Sequence, residues 1–317
     1  MKRIVLALGG NALGNDVTEQ IKNVRITCEM ITSLLSDRQN DYQIIITHGN
    51  GPQVGLIKLA FENSDISMPL VECCAMSQGY IGYHLQSALN DSINTHGLKY
   101  TAQSLITEVY VDKNDPAFLT PTKPIGTFYS LEEATKIMSE NPGIIMKEDS
   151  GRGYRRVVAS PRPVHIAEKS AILKLLDEGH IVITCGGGGI PVCEVDGRKV
   201  GVECVIDKDL SASLLARQIN ADILLIHTAV DNVYLNYGKP DQKKLTGVTT
   251  QELEKYIREG HFADGSMLPK VKAATEFVNS APGKTAIITS LENAAYAISE
   301  GAGTVIYQEA KVPEAVF

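Results

Sequence analysis

Short apolar runs alternate with amphipathic stretches along nearly the whole chain. Arg3–Leu8, Gln43–Thr47, His180–Thr184, Asp222–His227, Lys284–Ile288 and Gly303–Tyr307 read as strands. Several are apolar on consecutive positions, the pattern of strands covered on both faces of a parallel sheet. Helical spacing falls between them. Val164–Glu178 carries Ile172, Leu175 and Leu176 and ends at Gly179, a residue suited to terminating a helix. Asp209–Ile219 places Leu210, Leu214, Leu215 and Ile219 on one face. Ser130 with Glu133, and Thr249 with Glu252, have the spacing of capping boxes at helix starts. Alternating strand and helix predicts an α/β fold: a three-layer α/β/α sandwich with a mainly parallel central sheet.

From about Asp112 to Pro163 this rhythm breaks. The stretch is rich in Pro, Gly and charge, including Pro121-Thr122-Lys123-Pro124-Ile125-Gly126 and Gly151-Arg152-Gly153-Tyr154-Arg155-Arg156. It reads as a small lid inserted in the N-terminal half, with Val157-Val158 in a hairpin strand; a long solvated loop is the alternative.

Composition narrows the classes. A chain of 317 residues has room for about two folding units. Its net charge of −7 argues against a protein that coats nucleic acid or anionic membranes. No apolar run approaches the ~20 residues that span a bilayer, and Ile4–Leu8 is too short for a signal peptide, so a cytoplasmic location is expected. The six cysteines form no Cys-x-x-Cys pair and sit in apolar stretches, as small buried hydrophobes do. The seven histidines lack ligand spacing, so no dedicated protein metal site is expected.

The 27 glycines are more telling, because they cluster behind the strands: Gly9-Gly10-Asn11, His48-Gly49-Asn50-Gly51-Pro52 and Cys185-Gly186-Gly187-Gly188-Gly189. Ligands of open parallel sheets bind beyond the carboxyl ends of the strands. There, glycine lets backbone N–H groups approach an anion, and a following helix N-terminus favours negative charge. Three such loops point to a phosphate crevice, although tight strand–helix packing also calls for glycine. Gly283-Lys284-Thr285 resembles the tail of a P-loop, but Val278 stands where the first glycine belongs. Gly49-x-Gly51-x-x-x-Gly55 is a variant dinucleotide fingerprint without the expected acidic strand end some 20 residues on, which leaves a nicotinamide oxidoreductase as the minor reading.

Three lysines stand in constrained settings. Lys123 is framed by prolines, Lys208 lies between Asp207 and Asp209 at a helix start, and Lys270 follows Gly265-Ser266-Met267-Leu268-Pro269. Phosphoryl transfer asks mainly for in-line positioning and charge neutralisation by such groups. The two aspartates can hold Lys208 charged and oriented, or cap the helix.

These strings, with Ala7-Leu8-Gly9-Gly10-Asn11-Ala12, Thr47 to Gly55, Ser77-Gln78-Gly79-Tyr80-Ile81-Gly82-Tyr83, Asp115-Pro116-Ala117-Phe118, Gly153 to Val158, Cys185 to Pro191, Val205 to Asp209 and Gly265 to Lys270, run through the whole chain in order. Together they resemble the carbamate kinases of the amino acid kinase family. The resemblance implies reversible phosphoryl transfer between ATP and carbamate, giving ADP and carbamoyl phosphate, with Mg²⁺ carried on the nucleotide phosphates and no protein metal ligand. It implies an N-terminal lobe over residues 1–206 for the small acid, with the lid at about 112–163, and a nucleotide lobe over 207–317. Lys123, Lys208, Lys270, Asp207 and Asp209 are the implied catalytic residues. Gly9, Gly10, Asn11, Gly49, Asn50, Gly51, Gly186 and Gly187 are the implied phosphate cradle. Asp231, Val233, Tyr234, Met267 and Lys270 are the implied nucleotide contacts. Many members of the wider family carry a lysine where Ala7 stands, and the resemblance assigns the missing charge to Lys123. It also implies a homodimer with small-molecule substrates only. Other phosphotransferases of the family, and a non-catalytic nucleotide or carbamoyl phosphate sensor, are the alternatives.

Overall fold

The computed structural model describes residues 1–9, 13–14, 17–36, 42–62, 64, 66–149 and 151–309. In chain order the N-terminal half runs β1 (Lys2–Leu8), α1 (Val17–Leu35), β2 (Tyr42–His48), α2 (Gly51–Glu62), α3 (Leu70–Thr95), β3 (Thr101–Ser104) and β4 (Glu108–Val111). It continues with β5 (Lys123–Tyr129), α4 (Leu131–Glu140), β6 (Ile145–Glu148), β7 (Tyr154–Val158), β8 (Pro163–Ile166), α5 (Lys169–Asp177), β9 (His180–Ile183), β10 (Ile190–Val195) and β11 (Arg198–Gly201). The remainder comprises α6 (Lys208–Gln218), β12 (Ile223–His227), β13 (Val233–Leu235), β14 (Lys243–Leu245), β15 (Gly247–Thr249) and α7 (Thr250–Arg258). It ends with α8 (Met267–Val278), β16 (Thr285–Thr289), α9 (Leu291–Ser299) and β17 (Thr304–Tyr307).

One eight-stranded sheet, in the order β15-β17-β16-β12-β1-β2-β9-β3, passes through both halves. All its pairings are parallel except β16 with β17. Successive side chains of a strand point to opposite faces, so consecutive apolar residues feed two cores. In β1, Ile4, Leu6 and Leu8 pack with α1, α3 and α9, whereas Val5 and Ala7 pack with α5, α6 and α8. That is the expected three-layer sandwich.

The six strands read from the sequence are present within a residue or two, and both capping boxes form, at Ser130–Glu133 and Thr249–Glu252. One expected element is corrected. The helix read from Val164 starts only at Lys169, and Pro163–Ile166 is a strand antiparallel to β4, with Val109 opposite Ile166. Pro161 and Pro163 favour extended backbone there, and pairing with β4 outweighs the helical spacing of the apolar residues.

Inside the Pro- and Gly-rich stretch, β5, β7 and β6 form a three-stranded antiparallel sheet carrying α4. This small unit sits on α2. A Cβ on Gly55 would lie 2.6 Å from the Cα of Gly126 in β5, so Gly55 must be bare for helix and lid strand to meet, while Gly126 has open space for a side chain but a φ of +74° that favours glycine. Close packing against the lid explains the glycine that completed the dinucleotide-like spacing. Arg155 donates to the Gly126 carbonyl at 3.1 Å, pairs with Asp149 at 3.1 Å and lies over the Phe128 ring, which stiffens the lid from within.

The outer edge of β3 is covered by side chains of α3. Asn90 accepts from the Ala102 N–H at 2.8 Å and donates to its carbonyl at 3.2 Å. Gln86 accepts from the Ser104 N–H at 2.6 Å, and Gln78 makes the same two-way contact with Thr107 at 2.8 and 3.0 Å.

Candidate active site

The glycine loops singled out in the sequence follow the carboxyl ends of β1, β2 and β9, next to that of β12. Gly9 follows β1, and its N–H donates to Nδ1 of His227, the last residue of β12, at 3.1 Å. Accepting at Nδ1 leaves the imidazole proton on Nε2. Burial, with a contribution from the Lys208 charge, holds His227 down at about 4, so this ring is neutral. Gly49 follows β2, and its N–H is taken by the Leu8 carbonyl at 3.1 Å. The amides of Gly9 and Gly49 are therefore committed within the protein. Gly51, at the start of α2, has open space where a side chain would project. Gly10 and Asn11 lie outside the described residues.

His48 and Asn50 are pressed against the third glycine loop. Side chains added at Gly186 or Gly187 would collide with the His48 ring and the Asn50 amide, respectively. Both glycines are buried, and packing alone accounts for their identity. Further along, Gly188 and Gly189 adopt φ of +96° and +97°, and added side chains would strike the Ile206 carbonyl and Val109. His48 donates through Nδ1 to the Gly49 carbonyl at 2.9 Å and, being wholly buried, is also held at about 4. Asn50 donates to Ser77 Oγ of α3 at 2.8 Å, and Ser77 passes its own proton to the Cys74 carbonyl at 2.7 Å. Ser77 stands out in the sequence only as part of a motif, and His48 and His227 carry no assigned role there. Their signal is weak: a polar residue on an otherwise apolar helix face, and two histidines each closing a buried strand.

The charged centre is the first turn of α6. Asp207 caps this helix, its Oδ1 accepting from the N–H groups of Asp209 at 2.9 Å and Leu210 at 3.3 Å. Its Oδ2 accepts from Nζ of Lys123, 84 residues earlier on the lid, at 2.6 Å. Asp209 is 3% exposed and is shared by two lysines: Oδ1 accepts from Lys208, and Oδ2 from Lys270 on the first turn of α8 at 3.2 Å. Burial would push the Asp209 carboxyl up, but the two ammonium groups outweigh it and hold it at about 2. Burial depresses Lys208, and Asp209 is the first charge opposing that depression.

The three lysines singled out in the sequence thus converge on two carboxylates at one helix N-terminus. The detail differs from the expectation in one respect. The aspartates flanking Lys208 divide their work: Asp209 holds Lys208, whereas Asp207 holds the lid lysine. Neither carboxylate has an oxygen free of a cation or a backbone donor.

Of the residues the resemblance implied as nucleotide contacts, Val233 is fully buried in the core and its N–H is taken by Thr304 Oγ1 at 2.8 Å, so its side chain serves packing. Asp231 is exposed and Tyr234 half-buried beside it. Met267 opens α8, one turn before Lys270. All six cysteines are free and buried, as their apolar setting suggested. No helix among the described residues is long and apolar enough to cross a membrane.

Comparison with known proteins places this geometry. The amino acid kinase family matches residues 2–290. A carbamate kinase of Clostridium perfringens is 50% identical over 315 residues, covering 96% of this chain and 99% of its own. The carbamate kinase-like protein YqeA of Escherichia coli is 49% identical over 313 residues, covering 97% and 99%. Among solved structures, carbamate kinase from Giardia lamblia bound to AMP-PNP superposes with a TM-score of 0.88 at 43% identity, covering 97% of this chain and 99% of that one.

Proposed function

The chain belongs to the amino acid kinase family, and we propose that it transfers a phosphoryl group reversibly between ATP and carbamate, giving ADP and carbamoyl phosphate. One observation carries the reading: Lys123, Lys208 and Lys270 meet at Asp207 and Asp209, three ammonium groups on two carboxylates at a helix N-terminus. The relatives named carbamate kinases, similar over almost their whole length, give the substrate class.

In the ATP-forming direction, a terminal oxygen of ADP attacks the phosphorus of carbamoyl phosphate in line, and the P–O bond to carbamate breaks. The transferred group is loosely bonded in the transition state, with negative charge spread over its oxygens. Cations fixed around it stabilise that charge without reorganising as it develops. Lys208 and Lys270 are held within hydrogen-bonding reach of a single carboxylate, which sets their spacing. Lys123 arrives from the lid and supplies the charge that Ala7 cannot. Asp207 and Asp209 act through these lysines as positioning groups.

Carbamate is too small to contribute much binding energy, so a lid that excludes water and brings its own cation supplies what the ligand lacks. On the nucleotide side, Asp231, Tyr234, Met267 and the backbone of Val233 border ATP or ADP. Mg²⁺ entering with the nucleotide would supply positive charge that offsets part of the charge of the phosphates. The donor set suits that arrangement, because both carboxylates are already committed to lysines. In the same reading Gly51 and Asn50 face the acid and its phosphate. The division at residue 206, a homodimer, a cytoplasmic setting and use chiefly to make ATP also belong to this reading.

The deciding experiment is a coupled assay of ATP formation from ADP and carbamoyl phosphate with Mg²⁺. Turnover is expected. Its absence, under conditions where a carbamate kinase control is active, refutes the reading, and a panel of other acyl phosphates would then identify a different phosphotransferase of the family.

A further inference from the structure

The carboxylate that meets the lid lysine is not a free acceptor. Asp207 is one-tenth exposed, and its Oδ1 is fixed by the N–H groups of Asp209 and Leu210. Only Oδ2 is left to meet Lys123, and it does so at 2.6 Å. Lys123 opens β5, whose neighbour in the lid sheet is Val158, and three residues later Gly126 docks on α2. The lid is therefore fastened at two points, an apolar contact at Gly55–Gly126 and an ionic one at Lys123–Asp207. The ionic contact lands on the same helix turn that holds Lys208 and Lys270 through Asp209.

We propose that Asp207 is the catch of the lid: it holds Lys123 over the site before substrate arrives and keeps its ammonium group aimed at the place where the transferred phosphoryl group will lie. Asp207 is then a positioning residue, and α6 is the part through which the lid and the nucleotide lobe share one register. The geometry explains why two aspartates flank Lys208, since one would suffice to orient that lysine. It also separates the two ends of the Asp207 side chain. Asparagine in its place keeps the capping oxygen but presents an amide N–H₂ to Lys123, which repels an ammonium group.

This inference rests on the proposed kinase reaction for its purpose, but its first test does not require turnover. Hydrogen exchange followed by mass spectrometry on the ligand-free protein should show the amides of β5 and β7 exchanging about tenfold faster in Asp207→Asn, equivalent to about 1.4 kcal/mol of lid opening. Lys123→Met, which leaves the helix cap intact, should give the same acceleration, and the double variant no more than either single one. Unchanged lid exchange in Lys123→Met overturns the catch, whatever Asp207→Asn does to α6. Kinetics supply the second readout: in Asp207→Asn the KM for carbamoyl phosphate should rise about tenfold while the KM for ADP stays within twofold. An equal rise in both constants also overturns it. Faster lid exchange in a protein that makes no ATP would instead leave the catch standing and remove the reaction assigned above.

Discussion

The sharpest test of the charged centre is Asp209→Asn. The substitution keeps size and shape but deletes the one anion shared by Lys208 and Lys270. At 3.2 Å and an effective dielectric of about 20, the attraction to Lys270 alone is about 5 kcal/mol before desolvation is counted. Removing one partner of a buried ion pair costs about 3–5 kcal/mol, because the remaining charge stays buried without compensation. For a chain of 317 residues, with an unfolding entropy near 2.1 cal/mol/K per residue, each kcal/mol lowers Tm by about 1.5 °C. Calorimetry should therefore record a fall of about 5–8 °C. Activity should suffer more than stability, since two cations lose their orientation together; a loss in kcat of at least about 100-fold is expected in the coupled ATP-forming assay. The pH profile adds a check on sign. Burial already lowers Lys208, and Asp209 is the first of the charges that oppose this, ahead of Asp207, so the variant depresses it further. Activity that depends on the ammonium form must then decline with rising pH at a lower pH than in the unaltered protein. A variant with kcat within about threefold and an unmoved alkaline limb would refute the assignment of Asp209 as the shared anchor.

Gly55→Ala should push the lid strand off α2, because its Cβ would sit 2.6 Å from the Gly126 Cα. A rise of about tenfold or more in the KM for carbamoyl phosphate is expected with the fold intact by circular dichroism, whereas Gly79→Ala, which meets open space within α3, should leave the kinetics unchanged and stabilise by about 0.5–1 kcal/mol. His48 and His227 are held at about 4 when folded, against 6.5 for the free side chain. The unfolded chain therefore binds more protons between those values, so stability is full above about pH 6.5 and is lost as pH falls toward 4. Each group contributes up to roughly 3 kcal/mol to that loss. Urea midpoints measured from pH 7 to 4.5 should show a shallower decline in His227→Leu; an identical slope would contradict the neutral, buried ring.

The parts of this molecule that follow from local pattern were readable in its sequence. The capping spacings at Ser130 and Thr249 form because they satisfy backbone donors within a single turn, without outside help. The strands of the central sheet were visible because burial on both faces leaves few polar interruptions. What escaped depends on partners distant in the chain. Val164 and Ile166 look helical next to Ile172, but β4, more than fifty residues earlier, claims them as a strand. Gly186 and Gly187 have the pattern of an anion loop, and the packing reason for their identity, His48 and Asn50 in the space above them, is visible only in the fold. The lysines were legible as a set through their unusual settings, but the pairing was not. Only the fold reveals that Asp207 turns to the lid while Asp209 turns to Lys208 and Lys270.

The amide side chains of Asn90, Gln86 and Gln78 along β3 have a consequence for self-association. A strand at the rim of a sheet offers its outward N–H and C=O groups to any extended segment that comes near, including the same strand of another molecule. Here the N–H groups of Ala102, Ser104 and Thr107 and the carbonyls of Ala102 and Thr107 are already satisfied from within the chain. The helix counterfeits a ninth strand, and most of the backbone groups that another molecule would need at this rim are already taken. Two copies that associate on this side have to meet through helical surface, and the sheet keeps a finite width here even at the concentrations of an overexpressing cell.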